Sequence, residues 1–473
     1  MLSALGILIA ALGGMMFFPA IIDISVSNSD WHAFLGGGSI SVGFGVALYL
    51  AMRGQEGEWN IRRSILFVNG SWIIISFFAA LPLYFSSLNI TYADAYFETV
   101  SGFTTTGSTV LSGLDDMAPG LLFWRSLMQW LGGLGIVAIS ITILPMIGSG
   151  GQKLFFLESS EQSDNPYPRI REFAFKITLV YVLLSVACAL AYFALGMTAF
   201  EAINHSMTTL STGGYSTSDA SMAHFDSVGI LFAGSLFMFF GGLPFLYMIR
   251  FFSSDRSRDP QISLYFKGVL IASVVLFFAK QALSPGDKLE DFAVSLFDVI
   301  SIVTTTGYGA GDYQTWGPLF WAFFLILTFF GACSGSTAGG IKQFRFVIAW
   351  LIIKNAIAKL IHPNRIMPMR YGEKVVDEEM AASTLSFIFL FFATFMFFAI
   401  LLQLAGLDFV TAMSASATAI ANVGPGLGDI IGPAGNFSSL PEICKWLLSL
   451  EMILGRLEIL SGLAILMPGF WRW

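Results

Sequence analysis

Phe103-Thr104-Thr105-Thr106-Gly107-Ser108 sits between two long apolar stretches, and the chain repeats its ending three more times. The other occurrences are Leu210-Ser211-Thr212-Gly213, Thr304-Thr305-Thr306-Gly307 and Ala421-Asn422-Val423-Gly424. One such cluster reads equally well as a turn after a helix. Four in the same structural place suit a ring of backbone carbonyls around a dehydrated cation. A carbonyl ring needs neighbouring peptides to point the same way, whereas an all-L strand alternates them. The positive-φ conformations open to glycine solve this at little cost.

Composition sets the setting for such a ring. Of 473 residues, 55% are hydrophobic and only 12% are charged, with a mean hydropathy of +0.74. Soluble domains carry about a quarter charged residues. The chain therefore reads as an all-α polytopic membrane protein, since its apolar runs reach about twenty residues, whereas barrel strands alternate over about ten. A net charge of -7 gives no sign of nucleic-acid binding. Cys188, Cys333 and Cys444 lie in apolar surroundings without ligand-like spacing, which argues against a disulfide framework and a zinc site. His32, His205, His224 and His362 are scattered, so the constellation of an intramembrane enzyme is missing.

Ten spans are expected, at about 2–22, 32–52, 64–86, 119–147, 173–197, 228–252, 264–283, 316–353, 381–407 and 443–467. Four inserts, 92–103, 199–211, 290–304 and 408–421, are too short to cross a bilayer and run directly into the glycine strips. They read as re-entrant half-helices whose carbonyl ends favour a cation. With the N-terminus in the cytoplasm, 17 of the 24 Lys and Arg fall on the inner side, Arg62, Lys153, Arg256, Lys359 and Arg365 among them. The outer side keeps chiefly Arg125, Lys280, Lys288 and Lys445. This is the bias of a multi-pass inner-membrane protein.

The last eight spans then form four units of span, half-helix, strip and span around a central pore. The expected divisions are a two-helix appendage at 1–60 and pore units at 61–150, 151–257, 258–360 and 361–473. The eighth span is much longer than a bilayer requires, and the small-residue run from Gly331 to Gly340 interrupts it. Irregular backbone at membrane depth is tolerated only against protein or a water-filled cavity, which puts this run in the pore.

At this point the chain resembles a known family. The four strips, extended as Ser211-Thr212-Gly213-Gly214-Tyr215, Thr305-Thr306-Gly307-Tyr308-Gly309 and Asn422-Val423-Gly424-Pro425-Gly426, resemble the filter loops of the Trk/Ktr/HKT potassium transporters. The bacterial TrkH-type pore subunits are the nearest in pattern, and Gly331-Ala332-Cys333-Ser334-Gly335-Ser336-Thr337-Ala338-Gly339-Gly340-Ile341-Lys342 and Gly455-Arg456-Leu457-Glu458 add to the likeness. The resemblance implies potassium uptake across a bacterial inner membrane, in a homodimer with one pore per subunit. It implies a cytosolic TrkA-type regulatory ring that binds nucleotides. No covalently bound cofactor is expected, and K+ is expected at the filter only. Glycine at Gly107 favours potassium, because serine there accompanies sodium transport in the family. A sodium-selective or unselective carrier, or a proton- or sodium-coupled symporter, is the alternative.

The candidate filter is Thr105, Thr106, Gly107, Ser211, Thr212, Gly213, Thr305, Thr306, Gly307, Asn422, Val423 and Gly424. The candidate gate is Gly331, Ser334, Gly335, Ser336, Thr337, Gly339, Gly340, Lys342 and Arg456. An intramembrane arginine is costly and is paired or faces a cavity. Arg456 is read as a cation barrier acting with the loop, or as a structural partner of Glu458 or another acid. Lys342 is a pore charge or an anchor for the next helix. Asp115, Asp116, Asp219, Asp226, Asp312 and Asp429 form an acidic vestibule or are ordinary loop charge. Glu201 and Asp408 suit helix capping, Glu98 and Asp298 suit bracing of the filters from behind, and His205 suits packing.

Overall fold

The long apolar runs fold into helices in the computed structural model, which describes residues 1–54, 60–142, 167–251, 259–363, 368–457 and 459–472. Among these residues seven helices are long and apolar enough to cross a membrane. The inner-side charges Lys153, Arg256 and Arg365, and Glu458, lie outside the described residues.

The appendage is a helical hairpin. Leu2–Met15 and Phe17–Ser25 run almost continuously and pack on Trp31–Met52. Glycines bring the two backbones together: a β-carbon on Gly6 would lie 2.7 Å from Gly45 O, and one on Gly13 2.8 Å from Gly38 O. Small residues of this kind are what let membrane helices approach closely. The hairpin is pinned to the first unit, where the Gly120 N–H at the start of Pro119–Thr142 donates to Asp23 Oδ1 at 2.7 Å.

Four short helices, Tyr92–Phe103, Ala199–Leu210, Lys288–Val303 and Phe409–Ala421, match the expected re-entrant inserts. Each starts on a side-chain cap. Thr91 with Asp94 and Thr198 with Glu201 form capping boxes, while Asp287 and Asp408 cap the third and fourth helices. Glu201 is thus the reciprocal member of its box. The third helix begins two residues earlier than expected because Asp287 accepts from Leu289 N and Glu290 N.

Three spans are broken. The eighth divides into Pro318–Thr328 and Gln343–Ile361 around the small-residue run, as expected. The sixth, read as one helix over 228–252, divides into Val228–Gly241 and Phe245–Phe251. Gly242, Leu243 and Pro244 separate its halves, a glycine and a proline directly after Gly241. The tenth, read as one helix over 443–467, divides into Glu442–Arg456 and Ile459–Leu466. A short hairpin, Arg370–Tyr371 with Lys374–Val375, was not expected. It packs with Phe344, Ile348, Val376 and Met380 in a small core of its own.

Candidate functional site

Each short helix ends in the same left-handed cap. Thr105, Thr212, Thr305 and Asn422 have φ of 52°, 52°, 57° and 55°. The next residue's N–H bonds back to the carbonyl five residues earlier: Thr106 to Ser101, Gly213 to Thr208, Thr306 to Ser301 and Val423 to Thr418, at 2.8–3.0 Å. This is the six-to-one bond of a Schellman cap. One residue later the backbone turns to positive φ again, at Gly107 (89°), Gly214 (82°), Gly307 (78°) and Gly424 (112°).

These bonds correct the second strip by one residue. Gly214, not Gly213, is the equivalent of Gly107, Gly307 and Gly424, and Gly213 occupies the place of Thr106, Thr306 and Val423. Ser211 falls at the helix cap with Thr104 and Thr304.

The four glycines close a ring. A β-carbon on Gly107 would collide with Gly213 O, on Gly214 with Thr306 O, on Gly307 with Val423 O and on Gly424 with Thr106 O. Each strip therefore abuts the next, and the fourth returns to the first. All four glycines line one cavity of about 290 Å³. Asp219 is the one expected vestibule acid that lines it. Its carboxylate accepts from Gly113 N and Leu114 N, and Asp312 caps Gln314 N, so these acids shape loops. Asp115 lies in the turn Leu114–Asp116, where chiefly the Ser218 hydroxyl holds its carboxyl below the usual carboxylate range.

Behind the ring, buried side chains fix the strips. Gln129 Nε2 donates to Gly213 O at 2.6 Å, and Tyr215 N donates to Gln129 Oε1 at 3.0 Å. Asn422 Nδ2 donates to Thr106 Oγ1 at 2.9 Å, joining the fourth strip to the first. Glu98 accepts from Val110 N at 2.9 Å and pairs with Arg125 Nε at 2.8 Å, both fully buried. Arg125 also donates to Ser216 O at 3.0 Å and lies over the Tyr215 ring. Sequence reasoning placed Arg125 among outer charges and gave no role to Gln129.

The small-residue run 331–340 lies directly against the left-handed residues of the strips. The broken sixth span cradles it: Cys333 N donates to Gly242 O, Thr337 N to Gly241 O, and Phe245 N to Gly335 O. The loop then meets the left-handed residues one by one. Thr212 Oγ1 lies 3.2 Å from Thr337 Oγ1, and Gly339 N donates to Thr305 Oγ1 at 2.6 Å. Gly339 abuts Ala421 O and Asn422 so closely that no β-carbon fits. Arg456 Nη2 completes the set, donating to Thr105 Oγ1 at 2.5 Å and to Thr337 O. Loop and arginine together touch all four left-handed residues.

Arg456 is buried, and its Nε and Nη1 have no hydrogen-bond partner among the described residues. Lys342 Nζ turns back to Ala338 O, which ties the end of the loop to its own turn. Ser334 N donates to Gln261 Oε1, which ties the loop to helix Pro260–Leu283, and Ser336 Oγ to Cys333 O, which serves the loop's internal shape.

A helical membrane protein whose four re-entrant strips meet around one axis, with an intramembrane loop beneath them, belongs to the class of pore-loop cation-transport proteins. The model of the TrkH family, described as a cation transport protein, matches residues 31–278 and 269–468. The chain belongs to this family. It is 41% identical to the Trk system potassium uptake protein TrkI of Halomonas elongata, over 100% of this chain and 96% of that protein. It is 35% identical to the Trk system potassium uptake protein TrkH of Escherichia coli, over 99% and 98%. The crystal structure of the potassium transporter TrkH from Vibrio parahaemolyticus superimposes with a TM-score of 0.92 at 30% identity, covering 100% of this chain and 99% of that one.

Proposed function

We propose that this protein takes up potassium across a bacterial inner membrane. The pathway is a filter of Thr105–Gly107, Thr212–Gly214, Thr305–Gly307 and Asn422–Gly424, and the gate is the 331–340 loop with Arg456. The carrying observation is the closed ring, in which each positive-φ glycine abuts the preceding carbonyl of the neighbouring strip. Carbonyl oxygens held in this way replace an ion's hydration shell. The potassium uptake systems among its relatives support the choice of ion. The chain acts as a transporter rather than an enzyme. The reading includes the appendage and the four pore units divided at 61, 151, 258 and 361. It includes a cytoplasmic N-terminus, supported by the inner-side bias of Lys and Arg, and a homodimer and a cytosolic nucleotide-binding ring as regulator, which rest on the resemblance of the strips to the family's filter loops alone.

Tracer-flux and reversal-potential measurements in liposomes, comparing potassium with sodium, test the ion. Equal permeation of the two would overturn the potassium filter. Arg456→Ala tests the gate. It removes a cation and two bonds that close the inner mouth, and resting potassium flux should rise. Unchanged flux in a folded variant would reject the barrier.

A further inference from the structure

The ninth residue ahead of each ring glycine is Glu98, His205, Asp298 and Ala415. In three of the four pore helices its side chain spans the filter and holds the outer limb of its own strip. Glu98 Oε2 accepts from Val110 N at 2.9 Å, and Asp298 Oδ1 accepts from Ala310 N at 3.2 Å. His205 Nδ1 faces Glu201 O at 2.9 Å, so it carries the proton, and Nε2 accepts from Ser216 Oγ at 3.0 Å. In the fourth helix alanine offers no polar group. The preceding Ser414 replaces it, its Oγ accepting from Leu427 N at 2.9 Å. All four side chains are buried, and all four bonds end two or three residues beyond the glycine.

Resting on the filter reading above, we propose that these four side chains are positioning residues that set ion specificity, and that the third strip depends most on Asp298. A ring discriminates between ions only while its oxygens keep their spacing. The Schellman cap fastens each strip at its inner end, and the side chain fastens it at its outer end. The four fastenings are unequal. Glu98 is shared with Arg125, Val110 and Thr109. Asp298 holds Ala310 by one bond, and its Oδ2 has no hydrogen-bond partner among the described residues. The cation in this region, Lys280, is paired with Asp291 at 2.8 Å.

The test uses full-length protein in liposomes and reads the potassium-to-sodium permeability ratio from reversal potentials. Asp298→Asn keeps an oxygen for Ala310 N and should keep the ratio near that of the unaltered protein. Asp298→Ala should lower it by roughly tenfold, the order expected when one buried hydrogen bond is lost. A merely structural aspartate would reduce the amount of active protein and leave the ratio unchanged, which would overturn the proposal. If the unaltered protein itself does not discriminate, the filter reading fails instead. Should Asp298→Ala not fold, Ser414→Ala decides the matter at the fourth strip, where a lowered ratio supports the proposal and an unaltered one overturns it.

Discussion

Threonine at positive φ is the residue-scale peculiarity of this chain. A β-branched side chain in the left-handed region is a genuine outlier, costing of order 1–3 kcal/mol. Among the described residues, Thr105, Thr212 and Thr305 are the β-branched residues in that region. They persist because two backbone bonds close each cap and because their hydroxyls meet the loop or Arg456. Asn422, in the fourth strip, tolerates the region better than threonine does. The strips were legible as Thr-Gly clusters, but letters could not give the register of the second, where Gly213 and Gly214 both qualify. The cap of the pore helix does give it. Ring glycines lie 16 residues after Thr91, Thr198 and Asp408 alike, and only Gly214 fits that count. The correction is testable. Gly214→Ala drives a β-carbon into Thr306 O and forces alanine to positive φ, so potassium-dependent growth and tracer uptake should fall by at least roughly tenfold. Gly213→Ala crowds only the Gln129 amide, at a place where the other strips carry side chains, and should retain measurable uptake. The reverse order of severity would restore Gly213 to the ring.

At the scale of elements, the four re-entrant helices and the broken eighth span were legible because length and composition are local signals. The break in the sixth span was equally local, in Gly241-Gly242-Leu243-Pro244, yet the strong apolarity on both sides carried the helical reading across it. Its purpose was not local. The carbonyls freed at Gly241 and Gly242 accept from Thr337 N and Cys333 N of a loop about ninety residues further on. Two broken spans thus satisfy each other's backbone, as membrane depth requires. Thr337 is central, since its hydroxyl lies 3.0 Å from Leu210 O and 3.1 Å from Gly241 O. Thr337→Val keeps the shape and removes the donor, loosening the loop by about 1 kcal/mol. Resting potassium flux in liposomes should rise by roughly fivefold, that energy expressed as an equilibrium shift. The potassium-to-sodium ratio should stay the same, because the backbone bonds that close the cap of the second strip, Gly213 N to Thr208 O and Thr212 N to Thr209 O, are untouched. A changed ratio with unchanged flux would mean that the loop shapes the filter rather than closing it.

For the whole molecule, local signals gave the order of the apolar helices but not the contacts that close the ring. The first and fourth strips meet through Asn422 and Thr106, more than three hundred residues apart. Charges read as outer-side loop residues prove to be joints. Lys445 Nζ reaches Asp94 at 2.5 Å, fastening the fourth unit to the first, and Arg125 fastens the first to the second. A basic residue near a span end looks the same in sequence whether it is solvated or paired across units. The Arg125 joint should dominate stability, because both partners are fully buried. Removing one member of such a pair leaves an uncompensated charge and costs about 3–5 kcal/mol. Arg125→Met should therefore lower the thermal midpoint of the detergent-solubilised protein by several degrees, with the Glu98 carboxylate left without its cation. Adding Glu98→Gln removes that charge while keeping an oxygen for Val110 N, so the double variant should melt above the single one. Equal melting of the two variants would show that the cost lies in Arg125's contacts with Ser216 and Tyr215, and not in the stranded carboxylate.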